Sequence, residues 1–189
     1  MKLNTLLIAL CGLAAGLGAG NAMADWTNFQ EAPYIGLDYS HFTYKNASQE
    51  SSNNATFDAV RVRAGSQILP YLGLEVQAGS GFDKGTITVP GATYDLNLNV
   101  FYGAYLRPQI TYGRLTAYAL GGYGYADIKY NTTGNSVISA ASAQENSGTS
   151  YGAGASVKVY NNIDVSADYM HYLSGLSAVS LGLVYHFPQ

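Results

Sequence analysis

From residue 34 onward the chain alternates between large apolar positions and small or polar ones. A period of two places successive side chains on opposite faces, so each such run predicts a β-strand with one apolar face. The last run is the cleanest, with Val179, Leu181, Leu183, Tyr185 and Phe187 on one side. Seven runs precede it, at 34–44, 57–68, 72–82, 94–107, 115–130, 151–160 and 163–172. In the first, Ile35, Leu37 and Tyr39 oppose Gly36, Asp38 and Ser40. In the second, Val60, Val62, Ala64 and Ile68 oppose Arg61, Arg63, Gly65 and Gln67. In the third, Leu72, Leu74, Val76 and Ala78 oppose Gly73, Glu75, Gln77 and Gly79. The fourth sets Leu96, Leu98, Val100, Tyr102, Ala104 and Leu106 against Asp95, Asn97, Asn99, Gly103 and Tyr105. Gly121, Gly122 and Gly124 blur the parity of the fifth. The sixth sets Tyr151, Ala153, Ala155, Val157 and Val159 against Gly152, Gly154, Ser156 and Lys158. In the seventh, Ile163, Val165, Ala167 and Tyr169 oppose Asp164, Ser166 and Asp168.

The connections mostly alternate in length. Tight turns are predicted at 69–71, 111–114 and 161–162, and Ser-, Asn- or Gly-rich loops at 45–56, 83–92 and 131–150, with a short link at 173–176. Short turns at one end and longer loops at the other are the pattern of transmembrane barrels. Alternation alone does not say which face is inside, but the polar set does. A water-facing exterior would be rich in Lys and Glu. Here it is Gly, Ser, Asn and Gln with a few charges, side chains small enough for a narrow lumen. The Leu, Val, Ile, Ala and Tyr set suits lipid. Tyr71, Tyr151, Tyr185 and Phe187 fall near strand ends, where aromatic girdles belong. The expected fold is an all-β, eight-stranded antiparallel up-and-down transmembrane β-barrel.

The N-terminus adds an address. Lys2 precedes an apolar stretch over 6–17, and Ala22-Met23-Ala24 forms an A-x-A cleavage site. The expected layout is a cleaved signal peptide over 1–24, a short segment over 25–33 and a barrel domain over 34–187. Cys11, the single cysteine, lies inside the signal, and Leu10 before it is not the small residue that a lipoprotein signal needs. Without Lys2 the chain keeps eight basic residues against twelve acidic ones, a net charge of −4. That excess of acid argues against a nucleic-acid partner. Charged residues are 11% of the chain, well below the roughly 25% of an ordinary soluble domain. No apolar run after Ala24 reaches the ~18 residues of a membrane helix.

The stretch from Tyr34 to Phe187 resembles the small eight-stranded outer-membrane β-barrel proteins of the OmpA/OmpX-like porin superfamily. The carrying pieces are Tyr34-Ile-Gly-Leu37, Leu72-Gly-Leu-Glu75, Gly121-Gly-Tyr-Gly-Tyr125, Asp168-Tyr169 and Leu181-Gly-Leu-Val-Tyr-His-Phe187. The resemblance implies a place in the outer membrane of a Gram-negative cell, among lipid and lipopolysaccharide. It also implies that the barrel-assembly machinery reads an aromatic end signal, here Tyr185 and Phe187. This sequence differs in carrying Pro188 and Gln189 after it. Members serve as structural anchors, adhesins, resistance factors and, rarely, enzymes. No large periplasmic domain is expected after Phe187.

The parity directs Asp38, Arg61, Arg63, Glu75, Lys158 and Asp168 into one lumen. A three-residue turn at 69–71 would pair Ile68 with Leu72, Gly65 with Glu75 and Arg63 with Gln77, putting Arg63 diagonal to Glu75. Charges in a narrow barrel must find partners, so a filled, ion-paired interior is expected. The competing reading is a narrow ion pathway lined by the same charges. Catalysis has little footing. His171, Ser174 and Glu145 fall toward the outer rim, but the order does not match the lipid A deacylase pattern of a Ser two residues after the His, followed by Asn. His41 reads as interfacial and His186 as inward-facing. No His or Cys pair has metal-ligand spacing, the Gly clusters open no helix, and no cofactor is implied. The expected role is structural or surface interaction, with the loops at 45–56, 83–92 and 131–150 meeting an extracellular ligand or host surface. A narrow pore for small solutes or ions is the alternative, and a lipid-modifying enzyme a further one.

Overall fold

The computed structural model describes residues 33–45, 54–69, 71–89, 92–133 and 144–188. The expected signal peptide and most of the 25–33 segment lie outside the described residues. Nine strands follow in chain order: β1 (Tyr34–Tyr44), β2 (Ala55–Leu69), β3 (Leu72–Gly81), β4 (Lys84–Val89), β5 (Ala92–Tyr112), β6 (Leu115–Thr133), β7 (Gln144–Tyr160), β8 (Ile163–Leu173) and β9 (Leu176–His186). All pairings are antiparallel between chain neighbours, with two additions that close the ring. β1 pairs with β9 from Tyr34↔His186 to Tyr44↔Leu176. β3 pairs with β5 from Leu72↔Pro108 to Gly79↔Phe101, and β4 continues along the same β5 from Lys84↔Asn97. β3 and β4 are therefore one stave broken at Phe82–Asp83, and the closed barrel has eight staves. The ring closes through β1–β9 and β3–β5, so the spanning part of the wall has no open edge, while β4 is laddered on one side only, to β5.

The turns follow their residues. Gly113, with φ 61°, opens the two-residue β5–β6 turn, the type II′ position that needs a positive φ. Gly175, with φ 81°, takes the second central position after Ser174, where a type II turn has the same need. Lys45 N donates to Gly175 O at 2.8 Å, fastening the start of the first outer connection to the last one.

The apolar parity faces outward. Leu37, Leu181 and Leu183 are 59%, 61% and 57% exposed, while Asp38 and Arg61 on the opposite face are buried. Sheet distances of 11 residues, as in β1, β8 and β9, match the roughly 9–11 that a tilted strand needs to cross a bilayer.

Four expectations are corrected. The 83–92 loop is mostly strand: β4 and β5 form a hairpin from Lys84↔Asn97 to Val89↔Ala92. The 131–150 loop shrinks likewise, because β6 runs to Thr133 and β7 starts at Gln144. Residues 134–143 and 46–53 lie outside the described residues. Leu96 and Leu98 point into the lumen, whereas Asp95, Asn97 and Asn99 do not. A bulge between Leu98 and Val100 inserts one residue in β5 against β6, which reverses the parity of everything before it. Near the first turn Leu69, not Ile68, pairs with Leu72, owing to a second irregularity between Gln67 and Leu69.

Above the level of Ala55, beside which Gly85 lies, β4 and β5 add the rungs Thr86↔Asp95 to Val89↔Ala92. β6 accompanies them to Thr133. Four rungs amount to about 13 Å of strand, so among the described strands β4, β5 and β6 reach furthest on the outer side.

Candidate functional site: the filled lumen

The interior holds two layers. The inner one, toward the short turns and the strand ends at Tyr34 and His186, is polar. The outer one is apolar and aromatic.

The polar layer is built by inward positions of β1, β2, β3, β5, β6 and β8. Arg61 Nε donates to Asp38 Oδ2 at 3.0 Å, and its Nη2 donates to Asp168 Oδ2 at 2.6 Å. Arg63 Nη2 donates to Asp38 Oδ1 at 2.5 Å and to Ser166, while its Nη1 donates to Asp168 Oδ2 at 3.2 Å and Tyr118 OH at 3.1 Å. Two arginines on one strand thus share two carboxylates from two others, and all four side chains are buried. Glu75 accepts from Tyr34 OH at 2.5 Å and Gln77 Nε2 at 2.7 Å. Arg107 Nε lies 3.6 Å from Glu75 Oε2, with its guanidinium over the rings of Tyr118 at 4.1 Å and Tyr34 at 5.0 Å. Three arginines therefore face three carboxylates. A low-dielectric lumen requires such balance, because an unpaired charge there is costly. At the inner mouth His186 Nε2 sits 3.2 Å from Asp164 Oδ2.

Asp38, Arg61, Arg63 and Asp168 thus come together in space, with Glu75 beside them. The diagonal Arg63–Glu75 contact does not form: Arg63 reaches across the lumen to Asp38 and Asp168, and Arg107 takes Glu75. Lys158 is not in the lumen. It keeps the inward parity, directly opposite Asp164 in the β7–β8 ladder, but stands exposed at the inner mouth, beyond the enclosed network. Arg107 was missed, although it shares the parity of Gly103 and Tyr105 and could have been read from it.

The aromatic layer was also missed. Phe42 of β1 stacks on Phe57 of β2 (centroids 5.5 Å), meets Phe101 of β5 edge-on (5.0 Å) and stacks on Tyr172 of β8 (5.3 Å). Phe101 in turn meets Tyr172 at 5.3 Å. These four rings reach inward from four strands, with Leu96, Leu98, Leu120, Ile128, Met170 and Leu176 buried around them. Tyr172 OH also bridges down to the polar layer, donating to Gln77 Oε1 at 3.0 Å and accepting from Arg61 Nη1 at 3.0 Å. The signal was available, since Phe57 has the parity of Arg61 and Phe42 that of Asp38.

Glycines make the room. A Cβ at Gly36 would lie 2.9 Å from Arg63 Cγ, one at Gly79 2.5 Å from a ring carbon of Phe101, and one at Gly154 2.7 Å from Tyr118 Cζ. Tyr34 covers Gly65 and Asp38 covers Gly182 in the same way.

The remaining candidates lie outside the lumen. His41 Nδ1 is 2.7 Å from Asp58 Oδ1 on the outer wall. His171 packs on Tyr151 at 5.0 Å, Ser174 occupies the β8–β9 turn, and Glu145 is on β7 opposite Asp127. Phe187 is half-exposed, meets Tyr185 edge-on at 5.3 Å, and its N donates to Pro33 O at 2.9 Å.

The family described as "Outer membrane protein beta-barrel domain" matches residues 9–187. No curated protein matches significantly. Among solved structures, the chain is similar to Neisserial surface protein A, with 18% identity, 82% of this chain and 97% of that one covered, and a TM-score of 0.57. It is similar to the N-terminal β-barrel domain of OprF from Pseudomonas aeruginosa, with 15% identity, coverage of 84% and 100%, and a TM-score of 0.55. It is also similar to Ail, the attachment invasion locus protein of Yersinia pestis, solved with the heparin analogue sucrose octasulfate, with 18% identity, coverage of 84% and 100%, and a TM-score of 0.51. Identities this low speak for the fold alone.

Proposed function

Given that the chain belongs to the outer-membrane protein β-barrel domain family and its place is the outer membrane, we propose that it is a closed, non-conducting barrel. On this reading it serves as a structural and surface-contact element and is not an enzyme. The observation that carries this is the doubly filled lumen. A charge-balanced layer lies beneath four interlocked rings, and water-filled continuity is hard to reconcile with either. The outward reach of β4, β5 and β6 supports the surface role, because it exceeds the length that the bilayer requires and offers backbone and loops to whatever lies outside. The heparin analogue bound by Ail makes a sulfated polysaccharide one reasonable first ligand to try there. His171 is engaged with Tyr151 and Ser174 sits in a turn, an arrangement that supports the non-catalytic reading.

Planar-bilayer recordings test the central point. Wild-type protein is expected to give no steady conductance, and a stable open state of porin size would overturn the closed-lumen reading.

The assembly role of Tyr185 and Phe187 is part of the same proposal. The lipid-facing row that ends on Phe187 supports it, as does the Phe187–Pro33 hydrogen bond, which places Phe187 at the end of the seam. Phe187→Ala is expected to reduce the folded, heat-modifiable fraction in outer membranes severalfold. Deleting Pro188-Gln189 should leave that fraction unchanged, since a proline has no amide to give the ladder. The opposite pattern would move the signal elsewhere.

A further inference from the structure

One strand of the wall is used on one side only. β4 is laddered to β5 from Lys84↔Asn97 to Val89↔Ala92, and no described residue is laddered to its other edge. The start of β2 covers just the foot of that edge, where Gly85 lies beside Ala55, Thr56 and Phe57. β1 and β2 end at the pair Tyr44↔Ala55. Beyond that level the backbone of Thr86–Val89 carries a second row of N–H and C=O groups, on the outer side of the barrel.

Backbone donors and acceptors at strand spacing are complementary to the backbone of another extended chain. Proteins guard such edges with charge or proline. Here the guards stand only at the ends, Lys84 and Pro90. Between them Thr86, Ile87, Thr88 and Val89 are uncharged and all β-branched, the residue type that most favours an extended chain. β6 offers the contrast. Its last rungs are laddered to β5 as far as Thr133, but its pairing with β7 stops at Ile128↔Gln144. That edge carries Lys129 and Asn131, a guarding charge and a residue that strands disfavour. The β4 edge is also backed by a formed sheet, through the rows Thr86↔Asp95↔Asn131 and Thr88↔Thr93↔Thr133. An incoming strand therefore adds to three strands and not to a lone hairpin, which would be marginal by itself.

We infer that the open edge of β4 is a docking site for an extended segment of another polypeptide, which joins the β4–β5–β6 sheet as a further strand. Main-chain hydrogen bonds carry the recognition, so the site selects uncharged, β-forming segments as a class and not one sequence. The inference rests on the surface-contact reading and names its partner class. It is independent of the closed lumen. Loss of peptide capture with sulfated-polysaccharide binding intact would remove this inference and leave the surface role standing.

The test uses folded, detergent-solubilised protein, identified by its heat-modifiable gel shift, and a synthetic Lys-Thr-Val-Thr-Val-Thr-Lys peptide ending in a cysteine. The control peptide is N-methylated at each Val and at the central Thr, which strips donors from both of its edges. Wild type should bind the first about tenfold more tightly than the second, the size of one or two lost backbone hydrogen bonds. Thr86→Cys should trap the peptide as a mixed disulfide, and Thr132→Cys, on the β6 edge, should not. Successive N–H groups along a strand point to opposite edges, so one of Ile87→Pro and Thr88→Pro deletes a donor from the open edge. That variant should weaken binding about tenfold with the folded fraction unchanged. The inference is overturned if wild type binds the two peptides alike or binds neither, or if the two cysteine variants trap equally. It is also overturned if capture requires replacement of residues 46–53 by a short Gly-Ser link, which would assign the edge to this chain itself. Self-association that the peptide dissolves would assign the edge to a second copy and overturn it too.

Discussion

Asp168→Ala is expected to lower the unfolding free energy of the vesicle-embedded barrel by about 3–5 kcal/mol, the usual consequence of removing one partner from a buried pair. Asp168 Oδ2 accepts from Arg61 Nη2 at 2.6 Å, Arg63 Nη1 at 3.2 Å and Tyr118 OH at 3.3 Å. Its loss leaves two guanidinium groups to share Asp38 alone, and the enclosed layer becomes net positive. Asp168→Asn should fall between wild type and alanine, because the amide oxygen still accepts while the charge is gone. Lys158→Ala, at an exposed position, should stay within about 0.5 kcal/mol of wild type. Urea titration in phospholipid vesicles, followed by the heat-modifiable gel shift, reads all three. Equal midpoints for Asp168→Ala and Lys158→Ala would show that the lumen carboxylate is not structurally committed.

Phe42→Ala should cost a similar amount, about 3–5 kcal/mol, as large-to-small changes of buried aromatics do. Phe42 touches the rings of Phe57, Phe101 and Tyr172 and is fully buried. Phe101 touches Phe42 and Tyr172, so the two losses overlap. The double variant Phe42→Ala/Phe101→Ala should therefore cost less than the sum of the singles, with a coupling of about 0.5–3 kcal/mol. Strict additivity in a double-mutant cycle would mean that the rings act as separate fillers and not as one plug.

The architecture was legible where lipid and lumen both act on a strand. At Val179–Phe187, at Ile35–Ser40 and at Val60–Gln67, alternation reports two different environments, and each parity reads correctly. Legibility ends where that contrast ends. In the upper rungs of β4, β5 and β6 the turn signals of Gly85, Pro90 and Gly91 outweigh the short alternation of Thr86–Val89, so Thr86, Thr88 and Asn131 read as loop. The bulge at Leu98–Val100 was invisible for another reason: one extra residue inverts parity without changing composition, and only the partner strand reveals it. Within the lumen, register identifies neighbours along the wall, which is why Glu75 seemed the natural mate for Arg63. It says nothing of what lies opposite. The long Arg63 side chain reaches across, and the contact with Asp168 joins positions 105 residues apart. Tyr172, which ties the two layers together, shares the parity of Asp168 and could have been read from it, whereas Tyr118 lies in the run whose parity the glycines blur and carried no signal beyond being one tyrosine among 17.

The glycines beneath the large inward side chains have a consequence for how this interior can vary through descent. Each pair is a single volume divided unequally between two positions: Gly154 with Tyr118, Gly79 with Phe101, Gly65 with Tyr34. A Cβ on the small side would meet backbone as well as the large side chain: Val60 O for Gly79, Ala167 O at 2.7 Å for Gly154 and Leu74 O at 2.7 Å for Gly65. Trimming the large member therefore does not release the small one, and a side chain at the glycine requires the neighbouring strand to shift. The freedom to vary is one-sided: the ring can shrink, while the glycine beneath it is held in place by the wall.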